Sequence, residues 1–173
     1  RPPAPLDLLG DGYNFPRMAD FVDHLEANPP ATNAAYLCGH TTLRVGAMDD
    51  LMRPATEDEI SLMKDNLVEA LDSGAVGLST GLAYDPAKSA PTREILTLAE
   101  ILGPADALYT THLRDEGAEI ITSLEEAFQI GRESGVAVVL SHHKVTGKEN
   151  IGRSEETLEL IDRVRKDQKV DLD

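Results

Sequence analysis

The sequence predicts an α/β fold of about five consecutive strand–helix units. Short apolar runs recur about 30 to 40 residues apart, which is the length of one strand, one helix and two short loops. Segments with apolar residues at spacings of three and four, typical of amphipathic helices, lie between these runs. The predicted strands are Ala34–Cys38, Ala75–Leu78, Ala107–Thr111, Val136–Leu140 and Lys169–Leu172.

The helix predicted before the second strand has the clearest ends. Thr56 and Glu59 have the spacing of a capping box, in which a hydroxyl and a carboxylate each bond a free backbone N–H. Gly74 follows the helix, and glycine favours the left-handed backbone that closes many helices. The apolar face of this helix contains Ile60, Met63, Leu67, Ala70 and Leu71.

Three further helices follow from the same periodicity. They cover about 16–27, Glu119–Ser134 with Gly135 at its end, and a segment capped by Ser154. Their inward residues are Phe21, Val22 and Leu25 in the first, Ile120, Leu124, Ala127, Phe128 and Ile130 in the second, and Leu158, Ile161 and Val164 in the third.

The strand pattern favours part of a TIM-like (β/α)8 barrel. Val136–Leu140 is apolar at every position, as in a parallel strand covered on both faces. A complete barrel needs roughly 250 residues, so this chain of 173 residues is expected to form an incomplete one, a single partial catalytic-barrel domain over 1–173. A doubly wound sheet is the second possibility, but no glycine-rich dinucleotide motif follows any strand.

Composition excludes several classes of function. The chain has 31 acidic and 16 basic side chains, a formal charge of −15 that disfavours nucleic acids and anionic membranes. No apolar run approaches the length of a membrane helix, and no signal pattern is visible, so we expect a cytoplasmic protein. A single cysteine, Cys38, excludes an intrachain disulfide and is expected to pack as a small apolar residue.

Two histidines follow neighbouring predicted strands. His112 follows the third predicted strand and His142 follows the fourth, 30 positions later. The carboxyl ends of parallel strands meet at one edge of the sheet, where active sites gather. Neutral imidazoles are natural zinc ligands, so His112 and His142 are candidate ligands of a zinc ion.

The residues after His142 leave alternatives open. Successive side chains on a strand point to opposite sides, so His143 is expected to serve packing or to support a ligand. Lys144 faces the site again and could hold a substrate carboxylate, act as a Schiff-base lysine, or remain an ordinary solvated lysine. Arg114, Asp115 and Glu116 follow His112 closely, and a carboxylate among them is either the partner of a ligand imidazole or part of a plain loop ion pair.

Four ordered motifs resemble one family of hydrolases. They are GHTTLR at 39–44, GAVGLSTGLAYDP at 74–86, YTTHLRDEG at 109–117 and SHHKVTGKENIGRS at 141–154. Together they are similar to the D-aminoacylases, or N-acyl-D-amino-acid deacylases, of the amidohydrolase superfamily. The resemblance spans about 15–173.

This resemblance implies a zinc-dependent hydrolase that converts an N-acyl-D-amino acid into a carboxylate and a D-amino acid. It assigns metal binding to His112 and His142, and contact with the substrate carboxylate to Tyr84 and Lys144. The general-base aspartate of the family is expected beyond Asp173, so no catalytic residue is assigned within the chain. The 173 residues alone are therefore expected to bind zinc weakly and to show no measurable deacylation.

A non-catalytic barrel segment with a structural or association role is the alternative function. Five units without the rest of a barrel would leave two strand edges unpaired, which predicts either that further barrel units cover these edges or that another copy of the chain does.

Overall fold

The computed structural model describes Leu8 and residues 15–173, so residues 1–7 and 9–14 of the predicted domain lie outside it. The fold is α/β with one sheet of five strands, each parallel to its neighbours. The strands are β1 Cys38–Gly39, β2 Gly77–Gly81, β3 Leu108–His112, β4 Ala137–Leu140 and β5 Val170–Leu172. The helices are α1 Met18–Ala27, α2 His40–Ala47, α3 Glu57–Asp72, α4 Asp85–Lys88, α5 Thr92–Ala99, α6 Ile120–Ser134 and α7 Ser154–Val164.

The order of the strands identifies the architecture. They lie side by side in the order β1-β2-β3-β4-β5, so every crossover moves the chain one strand further in the same direction. Connections between parallel strands are nearly always right-handed. When successive connections all lead to the next strand on the same side, their helices lie on the same face of the sheet. A doubly wound sheet would instead reverse its order at a switch point. The sheet is therefore part of a (β/α)8 barrel wall, as predicted.

Burial alternates along β4, and less regularly along β2 and β3, because helices cover only one face of the sheet. Leu78, Tyr109, Val138 and Leu140 are buried, whereas Ala137 and Val139 are partly exposed, as are Ser79 and His112. The expectation that Val136–Leu140 is covered on both faces was wrong for the described part of the chain. The less covered face is the interior side of the barrel wall, and it carries the polar residues.

The predicted helix ends are confirmed for α3 and α6. Thr56 Oγ1 accepts from the backbone N–H of Glu59 at 3.3 Å, and the Glu59 carboxylate accepts from the backbone N–H of Thr56 at 2.8 Å. Gly74 has φ +99° after α3, and Gly135 closes α6 with φ +72°. An Arg53–Glu59 ion pair also holds the pKa of Glu59 at about 2, well below its ordinary value.

Other local predictions were wrong or incomplete. The first strand is only two residues long, at the end of the predicted range, because it pairs with β2 alone and only at Cys38 and Gly39. Ser154 is not a cap, since Arg153 precedes the first turn of α7 and no side chain caps it. Leu158 is 45% exposed, while Thr157 and Ile161 are buried on that helix. The helices α2, α4 and α5 were not predicted from the sequence.

Within the described residues, no helix is both long and apolar enough to cross a membrane.

Candidate metal centre

A cleft of about 410 Å³ opens at the carboxyl ends of the strands. This volume is in the range of small-molecule sites. A larger cavity of about 730 Å³ lies at the opposite end, near the first residues of β3, β4 and β5, away from the ends of parallel strands where sites form. The smaller cleft is lined by Gly39, His40, Thr41, Ser79, Thr80, Gly81, Tyr84, Thr110, His112, Ser141 and His142.

His112 is placed by the pleat of β3. It is the last residue of the strand, level with Gly81 of β2, and its side chain is on the cleft face. Nδ1 lies 2.9 Å from the carbonyl oxygen of Leu113, which can only accept, so Nδ1 carries the proton. Nε2 is therefore left with a free lone pair, which is the state a metal ligand requires.

His142 reaches the same cleft by a different backbone conformation. It follows β4 by two residues and has φ +43°, an uncommon value for a residue other than glycine. The Asp173 carboxylate accepts from its backbone N–H, and the carbonyl of Asp173 accepts from the N–H of His143 at 3.0 Å. The rings of His112 and His142 are 4.8 Å apart between centroids.

Glu116 lies between the two imidazoles. Its Oε1 is 3.7 Å from Nε2 of His112 and 3.6 Å from Nδ1 of His142, and one ligand atom from each of the three residues lies within 4.8 Å of the others. A tetrahedral ion with ligand distances of about 2.0 to 2.1 Å needs donor atoms about 3.4 Å apart. Two histidines and one carboxylate at these separations fit a divalent ion such as zinc.

Lys144 contacts the same group of atoms. Its Nζ lies 2.6 Å from the Glu116 carboxylate and 2.9 Å from Nδ1 of His142. An ammonium only donates, so Nδ1 of His142 carries no proton and accepts this hydrogen bond, and a metal ion bound there would take the place of Lys144. Tyr84 completes the rim of the cleft, where its half-exposed ring packs edge-on against His112 at 4.9 Å.

Arg114 fixes the segment that carries Tyr84. Its guanidinium makes two hydrogen bonds to Glu126 on α6, at 2.9 and 2.7 Å. It also donates to the carbonyl oxygens of Lys88 and Ala90, at 3.1 and 3.0 Å. This two-pronged geometry is specific to arginine. It ties α4 and the loop after it to α6, beside the His112 end of β3.

A second polar cluster lies directly under the cleft. Nε2 of His40 is 2.9 Å from Oε1 of Glu94, and Nη1 of Arg44 donates to the same oxygen at 2.5 Å. Oε2 of Glu94 accepts from the backbone N–H of Ala55 at 3.1 Å. Although burial alone would raise the pKa of Glu94, the bonds from His40 and Arg44 bring it below its ordinary value. The rest of the Arg44 guanidinium donates to the carbonyl oxygens of Leu51, Arg53 and Pro86.

The neighbouring expectations for His143 and Cys38 are confirmed. His143 turns away from His142 and its Nε2 lies 3.0 Å from the hydroxyl of Thr157 on α7. Cys38 is buried in the core, and burial, together with the charge of Glu69, raises the pKa of its thiol to about 12. A neutral buried thiol is a packing group and not a metal ligand.

Two residues of this site had no definite role in the sequence-based prediction. Glu116 was one of the carboxylates that could orient a ligand imidazole, and its spacing of four from His112 was the available signal. His40 was present only within the motif at 39–44 and was assigned no role. Its link to Glu94, 54 positions away, leaves no local pattern in the sequence.

The chain is similar to deacylases of N-acyl-D-amino acids. It is 53% identical over 174 residues to a D-aminoacylase of Alcaligenes xylosoxydans xylosoxydans, a match covering 99% of this chain and 36% of that protein. A solved D-aminoacylase structure, described as defining a novel subset of amidohydrolases, aligns with a TM-score of 0.96 and 51% identity. That alignment covers 100% of this chain and 37% of the other.

A second solved relative was crystallised with ligands. It is an N-acyl-D-glutamate deacylase from Bordetella bronchiseptica, complexed with zinc and a phosphonate that mimics the tetrahedral intermediate. The alignment has a TM-score of 0.91 and 41% identity, and covers 96% of this chain and 35% of the relative. No family model matches the chain. The chain spans about 36% of the length of the D-aminoacylase of Alcaligenes xylosoxydans xylosoxydans.

Proposed function

Because this chain belongs to the D-aminoacylase family of amidohydrolases, we propose that it supplies part of the active site of a zinc-dependent N-acyl-D-amino-acid deacylase. The reaction is hydrolysis of the amide bond, which gives a carboxylate and a free D-amino acid. The observation that carries this proposal is the convergence of the His112 and His142 lone pairs beside Glu116, at the carboxyl ends of adjacent parallel strands.

His112 and His142 are the proposed zinc ligands in this chain, with Glu116 beside them as a third oxygen donor. Imidazole nitrogens and carboxylate oxygens are the ligand atoms that zinc commonly takes in proteins. Zinc is present in the structure of the Bordetella relative. When bound, zinc supplies a Lewis acid for the amide carbonyl and for an attacking water. The bond between His112 Nδ1 and the carbonyl of Leu113 keeps the ring in one tautomer and one orientation. We assign no general base within residues 1–173.

Lys144 and Tyr84 are the proposed contacts of the substrate carboxylate. The ammonium of Lys144 is half-exposed beside the cleft, and the Tyr84 hydroxyl group is carried at its rim. Glu116 has one carboxylate to share between Lys144 and a metal ion. A metal ion held by His112 and His142 would compete with Lys144 for this carboxylate, and the ammonium would then be freer to bind the carboxylate of the substrate.

The geometry does not favour a Schiff-base role for Lys144. Such lysines are activated by an apolar pocket or by a neighbouring cation. Lys144 instead pairs with a carboxylate and is open to solvent. A non-catalytic barrel segment would not require His112, His142 and Glu116 to place their donor atoms together at the ends of two strands. This arrangement therefore favours the metal-dependent enzyme over the structural alternative.

The test is an assay of the natural gene product with N-acetyl-D- and N-acetyl-L-amino acids, detecting the released amine. We expect release from D-substrates only, loss of activity after chelation and recovery on adding zinc. Activity that persists after complete metal removal, or no amine release from any N-acyl-D-amino acid with zinc present, would contradict the proposal.

A further inference from the structure

Gly81 leaves the space that the Tyr84 ring occupies beside the candidate metal centre. It ends β2, lies level with His112 of β3 and lines the same cleft. A Cβ atom on Gly81 would lie 2.7 Å from Cδ2 and 3.0 Å from Cε2 of Tyr84, and its three nearest atoms all belong to this ring. Carbon atoms in favourable contact are about 3.5 to 4.0 Å apart. Any other residue at this position would therefore collide with Tyr84.

The backbone between Gly81 and Tyr84 is held in place. The N–H of Tyr84 donates to the carbonyl oxygen of Gly81 at 3.1 Å, which closes a tight turn. Within the turn, the N–H of Leu82 donates to the carbonyl oxygen of His112 at 3.3 Å, and the Leu82 side chain is buried in the core. The carbonyl oxygen of Tyr84 accepts from two N–H groups of α4, at 2.9 and 2.8 Å. A collision at Gly81 is therefore relieved by movement of the Tyr84 side chain and not of the turn.

The Tyr84 side chain is able to move because it lies at the rim of the cleft. It is 56% exposed, and its ring packs edge-on against His112 at 4.9 Å. None of the residues that the structure describes bonds its hydroxyl group. Packing over Gly81 and against His112 is thus what places the ring.

The position of the ring sets the position of the hydroxyl group. This group lies farther from the Cα–Cβ bond than Cδ2 does, so a rotation about that bond moves the hydroxyl oxygen more than it moves the atom in collision. Hydrogen bonds weaken steeply once the donor leaves the range of about 2.5 to 3.0 Å from its acceptor. A displacement of the ring that relieves the collision is therefore enough to remove a hydrogen bond from Tyr84 to a ligand in the cleft.

We infer that Gly81 is a positioning residue for substrate binding, which acts by leaving the Tyr84 ring its place beside His112. The inference rests on the proposed deacylase function, in which the Tyr84 hydroxyl group binds the substrate carboxylate. A side chain at position 81 then weakens substrate binding, although it contacts neither the proposed metal ligands nor the core.

The test is a double-variant cycle in the natural gene product with zinc, made of Gly81→Ala, Tyr84→Ala and the two changes together. KM and kcat are measured with an N-acetyl-D-amino acid. In Gly81→Ala we expect KM to rise about 10-fold and kcat to change by less than about threefold, since binding is lost equally from substrate and transition state. The double variant should match Tyr84→Ala, because without the ring the added methyl group has nothing to displace.

The matched control is Gly46→Ala. Gly46 is an exposed glycine of α2, and a Cβ atom on it would have no neighbour within 4 Å. Its KM and kcat should stay within about twofold of the wild type. Urea denaturation of the same variants separates binding from folding. The free energy of unfolding of Gly81→Ala should remain close to the wild-type value, because the displaced ring is already half-exposed.

Two results would overturn the inference while leaving the deacylase proposal intact. Losses that multiply in the double variant would show that the methyl group acts on the substrate or the backbone and not through Tyr84. An unchanged KM in Gly81→Ala would show that the ring keeps its role without the space over Gly81. If the wild-type protein releases no amine from any N-acyl-D-amino acid, the deacylase proposal fails and this inference fails with it.

Discussion

His142 differs from His112 in how its position is held. His112 ends a regular strand, so the sheet alone directs its ring into the cleft. His142 has φ +43°, and its backbone N–H is bonded by the Asp173 carboxylate beyond β5. Residues other than glycine in this region cost about 1 to 3 kcal/mol and persist where the surroundings enforce them. The conformation at His142 is what lets its ring face Glu116 while His143 turns to α7.

His40 makes the stability of the fold depend on pH. Burial lowers its pKa, so as pH falls below about 6.5 the unfolded chain binds a proton before the folded chain does. This contribution is present in full above that pH and is lost as pH falls through the lowered folded value. We expect the free energy of unfolding, from urea titrations, to decrease between about pH 7 and pH 5.

The control for this effect is His40→Gln, which removes the titrating group but can keep a donor to Glu94. Its free energy of unfolding should depend less steeply on pH over the same interval. An unchanged slope in the variant would mean that His40 does not carry the effect.

The capping box of α3 is the clearest local interaction to test among the helices. Thr56→Ala removes the hydroxyl that accepts from the N–H of Glu59, and should lower the free energy of unfolding by about 1 kcal/mol. The matched control is Thr97→Ala, because the Thr97 hydroxyl bonds the carbonyl of Arg93 inside α5, an arrangement that slightly destabilises helices. Urea denaturation of both variants measures the difference, and equal losses would exclude a capping role for Thr56.

Local patterns could predict α3 and α6 but not α2 or α5. The first two have long apolar stripes, and their ends depend on neighbours such as Thr56 and Gly135. By contrast α2 is short, begins directly at the end of β1 and buries the charged Arg44. A buried arginine is possible there only because Glu94 and distant carbonyl groups accept hydrogen bonds from its guanidinium, and such long-range partners leave no periodic pattern.

The same distinction applies to the candidate site. His112 and His142 could be predicted because each follows a strand, and parallel topology brings strand ends together. Glu116 could not be placed, since its loop is held by Thr146, whose N–H and hydroxyl bond the Glu116 carbonyl at 2.6 and 3.1 Å. Tyr84 was found through family resemblance alone, because its position depends on the Arg114 contacts to the loop after α4.

The described residues form a five-stranded section of barrel wall. Among the described residues, β1 pairs only with β2 and β5 only with β4, so each has one edge without a partner. Unpaired edges favour association. We expect light scattering of the 173-residue chain to give a mass above the monomer value of 18.7 kDa that increases with protein concentration.

The net charge of −15 gives this association a salt dependence. Repulsion between acidic chains is screened at higher ionic strength, so the mass should rise further between about 0.01 and 0.15 M salt. A constant mass of 18.7 kDa at all concentrations and salt levels would show that the edges do not mediate association.

Zinc binding to the natural gene product is the measurement that decides whether His112 and His142 share one ion. Metal analysis and calorimetric titration should be compared between the wild type and the variants His112→Ala, His142→Ala and His143→Ala. We predict that zinc affinity falls by more than about 100-fold in the first two variants, because each loses a ligand, and that it is retained in His143→Ala. Undiminished zinc content in His112→Ala and His142→Ala would contradict the account.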